Sequence, residues 1–402
     1  MIAPPNLAQG QPYLAIPGPS VVPDAVLRAM HRPSPNIYSG ELVDMMPALV
    51  RDLKRVARTA HQVAIYIGNG HAVWEASLSN VVAPGDEVLV PLTGHFCAGW
   101  AEMARALGVK VQTIDFGQTS PIDVARVAEV LKADSSHRIK AVLAVHVDTS
   151  TSLKNDIAEL RAALDDVGHP ALLMVDCIAS LGCDVFEMDA WGVDVMVAAC
   201  QKGLMMPPGT AFVFFNDRAQ KARASMERVS QYWDWHPRSE PDLFFQYFCG
   251  TAPTHHIYGM RAALDMLHAE GIEAVWRRHH VLAQAIWAAS EAWSASGSFS
   301  LNVADRAHRS WAVTSCRLQA PHATELRNWV ADNLGLTLGI GLGMAPLDDL
   351  AWHGFFRFGH MGYVNGQMIM ALIGGVEAGL CALQIEHGAG ALDAAAAVIA
   401  QA

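Results

Sequence analysis

The chain has 402 residues, 52% of them hydrophobic and 17% charged, with a formal net charge of −11. That length and apolar share support a large core and more than one domain. An acidic balance without any basic block argues against nucleic acid or an anionic membrane as partner, and no apolar run approaches the roughly 18 residues of a membrane helix.

The opening stretch MIAPPNLAQGQPYLAIPGPS has no basic segment followed by an apolar one, so a signal peptide is not expected. Residues 1–20 read as an N-terminal arm. From about residue 60 to 215, short apolar runs alternate with helical patterns. Strands are expected over residues 63–67, 87–91, 110–115, 141–147, 171–175, 193–198 and 210–215. Several are apolar on successive residues, the mark of strands covered on both faces and hence of a mostly parallel α/β sheet. The stretch NDIAELRAALDDVGHP predicts one of the intervening helices. Asp156 and Glu159 form a capping pair, Ile157, Leu160, Leu164 and Val167 share a face, and Gly168 with Pro170 ends it. After about residue 270 the composition shifts to Ala-rich helices, with strand candidates at 310–318 and 355–358. This predicts a large α/β domain over residues 21–270 and a smaller α+β domain over 271–402, joined through a helix that starts near His255. Seven dispersed cysteines, Cys97, Cys177, Cys183, Cys200, Cys249, Cys316 and Cys381, suit small core residues in a reducing cytoplasm.

Four stretches lie where strand candidates end or where a charge interrupts one, and open α/β sheets place ligands beyond their strand ends. In IYIGNGHAVWEASLSNVV, a strand ending at Ile67 meets Gly68, Gly70 and a helix beginning near His71. Such a helix start can cradle a phosphate, although Val73 replaces the third glycine of a dinucleotide fingerprint, and taken alone it reads as an ordinary corner. In ALLMVDCIASLG, Asp176 follows apolar residues; it either caps the next element or meets a cation. In VAACQKGLMMPPGTAFVFF, Lys202 stands between two apolar runs, either snorkelling at the sheet edge or held for chemistry. In HGFFRFGHMGY, Arg357 sits inside an apolar strand, as half of an ion pair or as a carboxylate or phosphate clamp. Together they supply a phosphate cradle, an acid for a ring nitrogen, a lysine for an aldehyde and an arginine for a carboxylate, the parts needed for pyridoxal phosphate chemistry. The spacing of 26 positions from Asp176 to Lys202 (202 − 176) leaves room for a helix-and-strand unit that brings both to neighbouring strand ends.

The chain resembles the class V aminotransferases of fold type I, in the alanine–glyoxylate and serine–glyoxylate group. The matching pieces are IPGPSVVPDAVLRAM, GNGHAVWEASLSNVVAPGDEVLV, VHVDTST, VDCIASLGC, CQKGLMMPPGT and FRFGHMGY, spread from residue 16 to 363. The resemblance implies that Lys202 holds the cofactor aldehyde and that Asp176 pairs with its protonated pyridine nitrogen. It implies Gly70, His71 and Gln201 at the phosphate, Thr149 at the ring hydroxyl, and Phe96 and Ile178 on the two ring faces. Tyr258 is implied to reach the phosphate of a neighbouring subunit, which makes the protein a homodimer with shared sites. Arg357 is implied to hold the substrate α-carboxylate. Cys200 stands where the family often has serine, and NIYSGELVDMM lacks a His-Arg pair that serine–glyoxylate enzymes often carry.

The implied reaction is transfer of an amino group from a small L-amino acid to a small 2-oxo acid such as glyoxylate or pyruvate. Alternatives are a lyase or desulfurase on the same fold, or an unusual donor such as pyridoxamine or aspartate. A desulfurase needs a nucleophilic cysteine on a mobile loop, and the C-terminal region offers only Cys316 and Cys381. Arg309 and Arg317, flanking a strand candidate, are the available second arginines. His255–His256 and His279–His280 lack metal spacing and read as surface or packing residues, so no metal is expected. GIGLGM reads as a flexible loop, and QYWDWHPR as either core edge or substrate loop.

Overall fold

The computed structural model describes residues 7–402; residues 1–6 of the expected arm lie outside the described residues. In chain order the strands are β1 (Tyr13–Ala15), β2 (Gln62–Gly68), β3 (Glu87–Leu92), β4 (Lys110–Asp115), β5 (Ile139–Val145), β6 (Val147–Asp148), β7 (Leu153–Lys154), β8 (Leu172–Asp176), β9 (Val195–Ala199), β10 (Gly209–Phe215), β11 (Ser300–Leu301), β12 (Val313–Arg317), β13 (Leu336–Ile340) and β14 (Phe355–Gly359). The main sheet has the order β2-β10-β9-β8-β5-β3-β4. β10 runs antiparallel to both neighbours, and the other adjacent pairs are parallel. β8 and β9 are buried at every position, as double-sided cover by helices requires, whereas edge strand β4 buries only Ile114. Two apolar clusters flank the sheet, one on each face.

The helix Ile157–Val167 forms as the sequence predicts. The Asp156 carboxylate accepts the Glu159 N–H at 2.9 Å, and Gly168 closes the helix in the left-handed region at φ 69°. Four other expectations change. Strand 141–147 breaks at His146, whose N–H turns to the Asp176 carbonyl; Val147 and Asp148 begin the separate β6–β7 hairpin. No helix separates β8 from β9, since turns make the connection, yet the two strands are neighbours as anticipated. Strand 310–318 shortens to β12 because Ser310 and Trp311 bend away to bond the buried Asp184 carboxylate. The GIGLGM stretch is strand through Ile340 and becomes loop only from Gly341. Gly339 is required inside that strand, because a Cβ there lies 2.6 Å from Pro17 Cδ.

The second sheet, β1-β13-β14-β12-β11, is antiparallel except for the β1–β13 pair. It packs on a third cluster with the helices Ile272–Trp293, His322–Leu334 and Gly366–Ala382. The N-terminal strand therefore belongs to this C-terminal sheet. From it residues 16–20 cross to the ends of the main sheet, where Ser20 N–H donates to the Gln201 carbonyl at 2.9 Å. QYWDWHPR is core edge: Trp235 is fully buried and stacks on Phe215 at 4.3 Å, and the buried Arg238 donates to three backbone carbonyls. Among the described residues no helix is long and apolar enough to cross a membrane.

Candidate active site

Asp176 is the last residue of β8, and Lys202 lies in the turn that follows β9 and returns the chain into β10. Beside them β2 ends at Gly68 and the helix Gly70–Val81 begins, its N-terminus capped by Asn69, whose Oδ1 accepts the N–H groups of His71 and Ala72. These strand and helix ends enclose a cavity of about 240 Å³. It is lined by eight of the predicted residues: Gly70, His71, Phe96, Thr149, Asp176, Ile178, Gln201 and Lys202. Asn69, Trp74, Val147 and Ala179 complete the lining.

Asp176 is 3% exposed. Its Oδ2 accepts the indole N–H of Trp74 at 2.8 Å, and its Oδ1 accepts the Ile178 N–H at 2.7 Å. Burial still wins over these donors and pushes its carboxyl up to about 7. Lys202 shifts the other way, to about 8, first through burial and then through the positive charge of Arg357. An acid and an amine with such values both sit near neutrality, the range useful for proton transfer. The Lys202 ammonium donates to the Pro17 carbonyl.

Phe96 is positioned by a carboxylate beneath it. Asp148, fully buried on β6, accepts the Phe96 N–H at 2.9 Å through Oδ2 and the Ser150 N–H at 2.9 Å through Oδ1. Ser150 Oγ in turn accepts the His95 N–H at 3.0 Å, so the TGHF and DTS stretches hold each other. The Phe96 ring meets the Trp74 indole edge-on, 6.3 Å between centroids. Thr149, in the same hairpin turn, gives its carbonyl to Arg357 Nη1 at 2.7 Å.

Arg357 stands mid-strand on β14, opposite Ser315 of β12 and Gly339 of β13. Its Nε donates to the Ile340 carbonyl at 2.6 Å, and no carboxylate pairs with it among the described residues. Burial lowers it to about 10, so it remains charged at neutral pH. Two of the five guanidinium N–H donors are thereby fixed on carbonyls, which sets the fork's direction. It does not line the cavity itself; it joins it through Thr149. The segment Pro17–Ser20 lies against Lys202. Gly18 has φ +94°, and a Cβ on it lies 2.5 Å from Lys202 Cδ. Ser20 Oγ donates to the Lys202 carbonyl at 2.7 Å.

Tyr258 is not brought to the cavity. It is buried in the helix Thr254–Glu270 with the Arg32 guanidinium 3.7 Å above its ring. Of the possible second arginines, Arg309 is tied to Glu291 at 2.7 Å and Arg317 lies over Phe355; neither lines the cavity. Cys316 is buried in β12, Cys381 sits on the helix Gly366–Ala382, and no cysteine lines the cavity. The paired histidines have packing roles: His279 accepts the Gly362 N–H at 2.9 Å, and His280 stacks on Trp311 at 4.3 Å. Sequence reasoning missed Trp74 and Asn69. Trp74 could have been found from its spacing, one helical turn after Gly70 and so on the same face.

Comparison with known proteins agrees with this geometry. Residues 13–371 match the family model for aminotransferase class-V. A serine–glyoxylate aminotransferase of Methylorubrum extorquens is 33% identical over 382 residues, covering 92% of this chain and 91% of its own. An L-aspartate–glyoxylate aminotransferase of Paracoccus denitrificans is 32% identical over 370 residues, covering 90% and 89%. The crystal structure of ureidoglycine–glyoxylate aminotransferase from Bacillus subtilis superposes with a TM-score of 0.85 at 25% identity, covering 98% of this chain and 99% of that one.

Proposed function

The chain belongs to the class-V aminotransferases, which use pyridoxal phosphate, and we propose that it moves an amino group from a small L-amino acid to a small 2-oxo acid, glyoxylate first and pyruvate second. The observation that carries this reading is the convergence of Lys202 and Asp176 at the ends of adjacent strands β9 and β8, in one cavity. The cavity suits the cofactor. A buried carboxyl raised to about 7 needs a cation, which a protonated pyridine nitrogen provides. Gly70, at the helix start, leaves open a space that a Cβ would fill against Ile178. The buried amide oxygen of Gln201 has no partner of its own, so this side chain is available to turn toward a ligand. Gly70, His71 and Gln201 would hold the phosphate, Thr149 the ring hydroxyl, and Phe96 and Ile178 the two ring faces.

Bound there, pyridoxal phosphate supplies an electron sink for the bond broken at the substrate's α-carbon. The chain's residues do the rest. Lys202, whose value near 8 leaves part of its amine unprotonated at neutral pH, would hold the cofactor aldehyde. As general base and acid it would take the proton from the substrate Cα and deliver it to the carbon on the other side of the transferred nitrogen. Asp176 keeps the ring nitrogen protonated, and Trp74 keeps Asp176 aimed. Arg357 receives the α-carboxylate with its remaining N–H groups. The Pro17–Ser20 segment lies against Lys202, which leaves little room for a long substrate side chain.

Tyr258, away from its own chain's cavity, fits a role at the phosphate of a second copy, and so supports a homodimer with shared sites. Residues 21–270 form the cofactor domain in this reading, and 271–402 the small domain. Five of the seven cysteines are buried as free thiols, which supports a cytoplasmic setting. A matrix of amino donors against oxo-acid acceptors tests the substrate class. Glyoxylate or pyruvate should lead; 2-oxoglutarate leading by a wide margin would contradict it, since among the described residues Arg357 is the one arginine bonded to the cavity lining.

A further inference from the structure

Away from the cavity, the last turn of the helix Gly366–Ala382 and the turn after it carry three ligating side chains. Glu377 and Cys381 are four residues apart and share a helix face, and His387 returns beside them. One carboxylate oxygen, the thiol sulfur and one imidazole nitrogen all lie within 4.8 Å of one another. The His387 Nδ1 is 2.7 Å from the Ile385 carbonyl. A carbonyl only accepts, so Nδ1 carries a proton, and Nε2 faces Glu377 Oε1 at 3.3 Å. With Nε2 protonated the two form an ion pair; without that proton, two acceptors face each other. The separation is long for a charge-assisted N–H···O bond, which falls at about 2.7–2.9 Å. It matches the edge of a tetrahedron with bonds of about 2.0–2.1 Å, which is about 3.3 Å.

The surrounding bonds fix Glu377 and His387 before any ion arrives. Trp293, fully buried, donates its indole N–H to the other Glu377 oxygen. The Gly388 N–H donates to the Trp293 carbonyl at 2.8 Å, and His387 bridges to Gly297. A backbone carbonyl on the far nitrogen of the histidine and a donor on the far oxygen of the carboxylate are the outer contacts that metal ligands use to hold tautomer and orientation.

We propose that Glu377, Cys381 and His387 form a Zn²⁺ site, with water in the fourth position. The mixed sulfur, nitrogen and oxygen set suits zinc rather than calcium or magnesium, which take oxygen alone. As the Zn–S bond forms, the Cys381 thiol gives its proton to solvent. The ion ties the end of this helix to the turn that precedes the helix Ala391–Ile399, and through Trp293 to the helix Ile272–Trp293. Because it binds the folded chain, it raises thermal stability with zinc concentration. None of the three residues lines the cofactor cavity, so turnover stays the same.

The test is equilibrium dialysis of the holoenzyme against Zn²⁺, with metal counted per chain and the melting temperature followed. Wild type should retain one equivalent and melt higher. Cys381→Ser and His387→Ala should lose both the equivalent and the shift while keeping wild-type turnover, which shows that they are folded. Zinc can also bind the cofactor, and comparison with these cofactor-loaded variants separates the two. Co²⁺ in place of zinc should give tetrahedral visible bands in wild type only. No retained equivalent in wild type, or the same equivalent in both variants, overturns the proposal.

Discussion

The indole N–H of Trp74 donates to Asp176 Oδ2 at 2.8 Å, so a residue of the helix Gly70–Val81 sets the orientation of the acid at the end of β8. Trp74→Phe keeps most of the apolar surface and removes the donor. A hydrogen bond to a charged group contributes about 1.5–3 kcal/mol, so cofactor affinity should fall about 10- to 100-fold. Titration of apoenzyme with pyridoxal phosphate reads this directly, and unchanged affinity would show that Trp74 only packs.

Asp176→Asn should leave the fold intact and the cofactor bound. An amide cannot hold a proton on the ring nitrogen, so the single-turnover half-reaction with a good donor should slow by orders of magnitude. A rate near wild type would reduce Asp176 to the backbone cap it already forms with Ile178.

Gly18 lies against Lys202, and its φ of +94° is one that residues with a Cβ rarely adopt. Gly18→Ala adds strain on the order of 1–3 kcal/mol and pushes on the lysine. The expected outcome is a fall in kcat of about 10-fold or more with a small change in melting temperature. A loss of stability with kcat preserved would place Gly18 in the fold and not in the site.

Acid should destabilise the protein earlier than its carboxylates alone would. His146, His279 and His360 are buried and each is lowered to about 3 by burial. Their folded values lie below the unfolded value of about 6.5, so the unfolded chain binds more protons and stability falls as pH drops below about 6.5. At pH 5 each contributes a loss of about 2 kcal/mol. Asp176, raised to about 7 in the apoprotein, works in the opposite direction. Its stability is fully present below its unfolded value and is lost as pH rises through about 7, so acidification from pH 7 to 5 returns about 2 kcal/mol. Asp184, also raised by burial, acts in the same sense as Asp176, whereas His71 and His169 are lowered like the three buried rings. The histidines outweigh the two aspartates, and apoprotein melting curves should drop between pH 6.5 and 5. A flat profile there would contradict the buried neutral rings.

Arg357→Lys should raise KM for every acid tested, because an ammonium lacks the planar fork and cannot bond the Ile340 and Thr149 carbonyls in the same way. Steady-state kinetics across several acids decide it: a higher KM for one acid alone would mean that Arg357 reads a side chain.

The main sheet was legible because its strands are covered on both faces, which writes continuous apolar runs such as VMVAA of β9 and LLMVD of β8 into the chain. β13 was not, since LTLGI puts a glycine in its interior, and the reason for that glycine is Pro17, some 320 residues away in sequence. The break at His146 was hidden for the same kind of reason: its backbone bonds across to Asp176. Lys202, Asp176 and Gly70 announced themselves as polar or flexible residues at the ends of apolar strands. Trp74 looked like core, and only its indole N–H, meeting a carboxylate 102 residues away, gives it a further role.

The most direct test is to find which lysine holds the cofactor. Borohydride reduction of the holoenzyme, followed by peptide mapping, should place the pyridoxyl label on Lys202, and Lys202→Ala should abolish turnover. A label on any other lysine, or a Lys202→Ala variant that still transaminates at an appreciable rate, would contradict the account.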